Sequence, residues 1–172
     1  MSARLVIALL SCGLASAVAA QQPAPVVIDS FESVSQWTAQ PADGVEITIH
    51  SDSGRTGRGM RLDFDFHGHG GYAVVRRVVN IVVPENYEFS FSIRGDAPVN
   101  TLEFKLADST GENVWWSNTP EFVFPREWSV VRRKKRHISF AWGPTTDREL
   151  RRVFAIEFAI TAGSGGKGSV WI

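Results

Sequence analysis

The sequence is almost without cysteine, balanced in charge, and lacks any catalytic signature. Its single cysteine, Cys12, lies in an apolar N-terminal stretch. If that stretch is removed, no disulfide can form, and stability must come from the core or from a bound ion. Lys plus Arg and Asp plus Glu both number 18, a formal net charge of zero. This balance argues against nucleic acid or an anionic membrane as partner. There is no apolar run long enough for a membrane span. No Ser-centred elbow, P-loop or zinc signature occurs, and no Asn-x-Ser/Thr site. Long amphipathic helices, internal repeats and charged low-complexity tails are missing as well.

What is present begins with an export signal. Arg4 supplies a positive start, Leu5–Leu10 and Gly13–Ala17 a short apolar stretch, and Ala17-Val18-Ala19-Ala20 a small-residue cleavage site. Residues 1–20 are therefore expected to be a signal peptide and 21–25 a polar leader, leaving a secreted or periplasmic domain. The alternatives are a retained N-terminal anchor, or lipidation at Cys12 after Leu9-Leu10-Ser11.

From residue 26 the apolar residues alternate, the pattern of half-buried β-strands. Val26–Ile28 starts a strand. Val45, Ile47 and Ile49 mark another, and Met60, Leu62, Phe64 and Phe66 a third. Tyr72–Val79 reads as a strand buried on much of both faces. Tyr87, Phe89, Phe91 and Ile93 follow, then Leu102, Phe104 and Leu106. Asp108-Ser109-Thr110-Gly111 is turn chemistry, and the returning strand ends in Trp115-Trp116. Pro120–Glu127 reads as a loop. Trp128 opens a strand that continues through the basic run Arg132–His137 to Trp142. One helical turn is expected within Thr145–Arg152. Phe154, Ile156, Phe158 and Ile160 form a further strand, and Gly168–Ile172 reads as one that has barely begun, so that the chain reads as cut in its last strand. About ten strands at this spacing predict an all-β fold, a jelly-roll β-sandwich of two antiparallel sheets over residues 26–172.

Opposite the aromatics, these strands carry Asp63, Asp65, Glu88, Ser90, Ser92, Arg94, Glu103, Lys105 and Glu157. One reading is a solvated face closed by cross-strand ion pairs. The other is a platform on which charged groups bond sugar hydroxyls while an aromatic ring stacks on the apolar face of the sugar. Neighbouring strand residues face opposite sides, so at most one of Trp115 and Trp116 can lie in the core. The candidate carbohydrate-binding residues are Trp115, Trp116, Glu103, Lys105, Arg94, Trp142 and Tyr72. Trp37, Trp128 and Trp171 are assigned to the core. Paired carboxylates such as Asp63 and Asp65 could hydrolyse a glycoside, but a flat polar face is a poor place to raise the pKa of a general acid.

Several motifs resemble a known family. Ile28-Asp29-Ser30-Phe31-Glu32 followed by Trp37, Gly59–Phe64, and Gly168–Ile172 resemble β-sandwich carbohydrate-binding modules of the galactose-binding-like superfamily. Gly111–Trp116 (GENVWW) and Arg136–Pro144 (RHISFAWGP) look like the N-terminal module of secreted bacterial proteins in which a discoidin-type (coagulation factor 5/8 type) domain or a glycoside hydrolase follows. The resemblance implies a non-catalytic module that binds a poly- or oligosaccharide and targets a C-terminally linked domain. It also implies a structural calcium ion, with Glu32 as one ligand and the Ser51–Gly57 loop as another source. The alternatives are a structural or protein-binding spacer without sugar affinity and, third, a glycoside hydrolase.

Overall fold

The computed structural model describes residues 24–172; the expected signal peptide and the leader as far as residue 23 lie outside the described residues. Eleven strands form among the described residues: β1 (Trp37–Ala39), β2 (Glu46–Ser53), β3 (Arg58–Asp65), β4 (Tyr72–Val82), β5 (Glu88–Asp96), β6 (Asn100–Ala107), β7 (Val114–Phe122), β8 (Ser129–Lys134), β9 (Ser139–Trp142), β10 (Arg152–Thr161) and β11 (Lys167–Trp171). They make a six-stranded sheet, β1-β4-β10-β6-β7-β9, and a five-stranded sheet, β2-β3-β11-β5-β8. Every pairing is antiparallel. The all-β sandwich read from the alternation is the fold that forms.

The core is the set of inward residues that the period of two selects. Leu102, Phe104 and Leu106 of β6 are buried with Phe158 and Ile160 of β10, facing Met60, Leu62 and Phe64 of β3 and Ile93 of β5. Phe104 stands at the centre, its ring 5.5 Å from those of Phe89, Phe91 and Phe158. Each such side chain contributes about 1.5–3 kcal/mol by leaving water. Asp29 ties the N-terminal segment to the sandwich. Its carboxylate accepts hydrogen bonds from Phe31 N–H (2.7 Å) and Trp37 Nε1–H (2.8 Å) and pairs with Arg77. That explains why an Asp stands eight residues before the tryptophan.

Several elements differ from the sequence reading. Val26 and Val27 form no strand and are 86% and 77% exposed, because no strand lies alongside them. β7 begins, rather than ends, at the tryptophan pair and runs through Pro120 to Phe122. The stretch from Trp128 to Trp142 is two strands in different sheets. β8 lies at the edge of one and β9 at the edge of the other, joined by the 3-10 turn Lys135–His137, a corner where the chain changes layer. No helical turn forms in Thr145–Arg152. There the Thr145 hydroxyl and the Asp147 carboxylate accept the N–H groups of Asp147 and Glu149, at 3.2 and 3.0 Å, and these local bonds replace helical ones. In β10 a bulge between Val153 and Ala155 shifts the phase, so Val153 is buried and Phe154 is only partly so. Trp128 and Trp171 are not core; both are half-buried on the outer face of the five-stranded sheet.

Candidate functional site

The outer face of the six-stranded sheet is built around the β6–β7 hairpin. Its turn is held by Asp108, whose Oδ1 accepts the Thr110 N–H and hydroxyl (3.1 and 2.7 Å) and the Gly111 N–H (3.1 Å). Gly111 takes the left-handed conformation the turn requires, with φ of 75°. Burial pushes the Asp108 carboxyl upward, but bonds from Thr110 and Asn113 outweigh it and hold the group below the ordinary carboxylate range. Asn113 also fixes β9. Its Oδ1 accepts the Thr145 N–H at 2.9 Å, and Gly143 packs so closely that a Cβ there would lie 2.4 Å from that same oxygen. Trp142, immediately before Gly143, is thereby docked beside the start of β7.

Register then fixes a transverse row across four strands: Arg76 (β4), Glu157 (β10), Lys105 (β6) and Trp116 (β7). The next row holds Val74, Ala159, Glu103 and Asn118. Arg76 donates to Glu157 at 2.7 Å and Lys105 Nζ lies 2.9 Å from Glu103. Lys105 and Glu103 are only 8% and 5% exposed although they stand on an outward face. Aromatic rings close over them. The Lys105 ammonium is 5.6 Å from the Tyr72 ring centre and 5.7 Å from that of Trp142. Trp116 meets Trp142 edge to face, with centroids 5.5 Å apart and planes at 85°. Ala107, Ala155 and Ala159 are small and buried in the same surface, which keeps the floor low. The result is a shallow groove with a polar floor. Tyr72 stands on one side and Trp142 with Trp116 on the other; Tyr72 and Trp142 are each 46% exposed.

Of the seven candidate residues, five meet here: Tyr72, Glu103, Lys105, Trp116 and Trp142. Two do not. Trp115 points the other way, is 6% exposed, packs on Phe140 and donates its indole N–H to the Arg148 carbonyl at 2.6 Å. It is a core residue and offers no face to a ligand. Arg94 lies on the opposite sheet, between the rings of Trp171 (3.9 Å) and Trp128 (5.5 Å). The single polar platform expected from the alternation is in fact two faces, one on each sheet, with Asp63, Asp65, Glu88, Ser90, Ser92 and Arg94 on the far one. Arg76 was missed, because β4 reads as apolar on both faces; its phase with Tyr72 and Val74 is the signal that could have placed it.

Glu103 and Glu157 are each bonded to a cation. Asp63 sits between Arg61 and the Ser169 hydroxyl; burial pushes its carboxyl up, but those bonds prevail and hold it below the usual range, the wrong direction for a general acid. Glu32 lies with its Oε1 against Gly57 and accepts the Arg58 N–H at 3.3 Å. No group of three or more His, Cys, Asp or Glu side chains gathers among the described residues. Calcium takes six to eight oxygen ligands, more than the Glu32 carboxylate alone supplies, so a site there would need oxygens from the Ser51–Gly57 stretch as well. No helix among the described residues is long and apolar enough to cross a membrane.

No family model and no curated protein sequence matches this chain. Solved structures do. The family 11 carbohydrate-binding module of the cellulosomal cellulase Lic26A-Cel5E of Clostridium thermocellum is similar with a TM-score of 0.64 at 19% identity, covering 83% of this chain and 88% of that one. The family 11 module from Clostridium thermocellum in complex with a β-1,3-1,4-mixed-linked tetrasaccharide gives 0.65 at 19% identity, covering 83% and 89%. An exo-β-agarase is similar with a TM-score of 0.50 at 11% identity, over 81% of this chain and 23% of that one. The chain shares the two-sheet β-sandwich fold of these modules.

Proposed function

We propose that the groove on the six-stranded sheet binds a glycan, and that the chain is a non-catalytic carbohydrate-binding module of an exported bacterial protein, directing a linked hydrolase or discoidin-type domain to its target. The observation that carries this reading is the placement of Tyr72 and Trp142, half-exposed, over the Lys105–Glu103 pair. Half-exposed rings offer apolar faces to a pyranose, held in place over the buried pair, and exposed Asn118 alongside offers a donor and an acceptor to its hydroxyls. The fold likeness supports the reading, and one of the similar modules is in complex with an oligosaccharide.

A second reading, a spacer domain without sugar affinity, is favoured by one feature: the charges of the groove already satisfy one another in the pairs Lys105–Glu103 and Arg76–Glu157. Intrinsic tryptophan fluorescence of the domain, titrated against a panel of soluble glycans, separates the two. We expect a saturable shift with one polysaccharide class. Trp142→Ala is expected to remove that shift and leave the unfolding transition nearly unchanged, whereas Trp115→Ala unfolds the domain, at a cost of about 3–5 kcal/mol. No shift with any glycan from folded protein establishes the spacer.

A further inference from the structure

The five-stranded sheet has a gap in its interior. β8 pairs with β5 along Glu88–Ile93, but on the other side of β5 the strand β11 pairs only with Arg94, Gly95 and Asp96. In an antiparallel ladder alternate residues turn both backbone groups to the same neighbour. The Gly95 N–H donates to Pro125 and the Tyr87 carbonyl accepts from Lys135, both on the β8 side. Ser92, Ser90 and Glu88 therefore turn their N–H and C=O groups away from β8, where no strand lies among the described residues. In that place is a cavity of about 680 Å³. Phe89, Phe91, Phe104 and Phe158 line it from the core, and the Pro25–Glu32 segment and the Gly54–Arg58 turn line it as well.

An apolar small molecule would fill the core side of this slot but leave the backbone groups unbonded, at a cost for each. An extended polypeptide satisfies both walls. β11 leads directly into the slot. Ile172 still exchanges both backbone hydrogen bonds with Met60, each 2.9 Å, and Trp171 stands opposite Arg94. We infer that the slot takes an extended polypeptide segment that carries β11 onward past Ile172, antiparallel to β5. Register sets its chemistry. The first residue after Ile172 falls opposite Ser92, the second opposite Phe91, the third opposite Ser90 and the fourth opposite Phe89. Val170 and Ile172 face inward, so the second and fourth face the core and must be apolar, while the first and third face outward and accept polar side chains.

The phase of the alternation is the test. The chain is prepared alone, with Thr-Val-Thr-Val-Thr appended after Ile172, and with the opposite phase, Val-Thr-Val-Thr-Val. Amide hydrogen exchange at Ser90 and Ser92 and the thermal unfolding midpoint are measured for all three. The first extension is expected to slow exchange at both amides by at least about tenfold and to raise Tm; the second, although more apolar, is expected to do neither. The inference is overturned if both extensions act alike, if neither does, or if these amides are already protected in the chain alone. The first pentapeptide added free in solution is the remaining arm. Protection by the free peptide equal to that by the tethered one would make the slot a docking site for a separate chain, overturning the assignment to a continuation of β11.

Discussion

Replacing Lys105 with Met tests whether the polar floor of the groove is a buried pair or a solvated one. The side chains of Lys105 and Glu103 are 10% and 7% exposed and their charges are 2.9 Å apart. Met nearly preserves the volume and the contacts with Tyr72 and Trp142, so the perturbation is the loss of one charge. Glu103 is then a buried carboxylate without its cation, a situation that costs about 3–5 kcal/mol. For a domain of this size that is a fall in Tm of at least roughly 6 °C. The pair itself is worth far less than this, because each ion has also lost its hydration. Adding Glu103→Gln to Lys105→Met removes the stranded charge, and the double variant is expected within about 1 kcal/mol of the parent. Urea unfolding of the parent, both single variants and the double variant gives the coupling directly. If Lys105→Met costs less than about 1 kcal/mol and the double variant equals the sum of the singles, the charges are solvated and the reasoning about the groove floor fails.

Two further predictions concern acid and metal. Asp52 accepts the Trp171 indole N–H (3.0 Å) and the Ser53 N–H (2.7 Å) and pairs with Arg61, and these bonds, the one to Trp171 foremost, lower its pKa from 3.8 to about 2. Its folded pKa lies below the unfolded one, so its contribution is complete above the unfolded value and is lost as pH falls through the folded one. Stability is therefore expected to drop as pH falls from about 4 to about 2, with a shallower drop for Asp52→Asn in urea unfolding at stepped pH. Because no group of three or more His, Cys, Asp or Glu side chains gathers among the described residues, chelation of calcium is expected to leave Tm unchanged; a fall on adding EDTA, reversed by calcium, would show that backbone oxygens complete a site at Glu32.

The period of two determined a good deal without the structure. It fixed which of Leu102, Glu103, Phe104 and Lys105 face the core, because side-chain direction in a strand is a local property of the backbone. It required Trp115 and Trp116 to part company, and Asp108 with Gly111 announced the turn between their strand and the one before it. Local pattern also failed where only local bonding matters: Thr145 and Asp147 capture backbone groups that a helix needs. Tertiary structure alone decided the rest. Which strands share a sheet is set by long-range hydrogen bonding, so Arg94 and Lys105, alike in their own strands, end on opposite faces of the molecule. The basic run reads as one strand because alternation carries no mark of a corner, yet the chain changes layer at Lys135–His137. Whether Trp116 or Trp115 turned outward could not be read from two adjacent tryptophans. It was settled when the pairing of Lys105 with Trp116 and of Leu106 with Trp115 put one ring over charge and the other over the core.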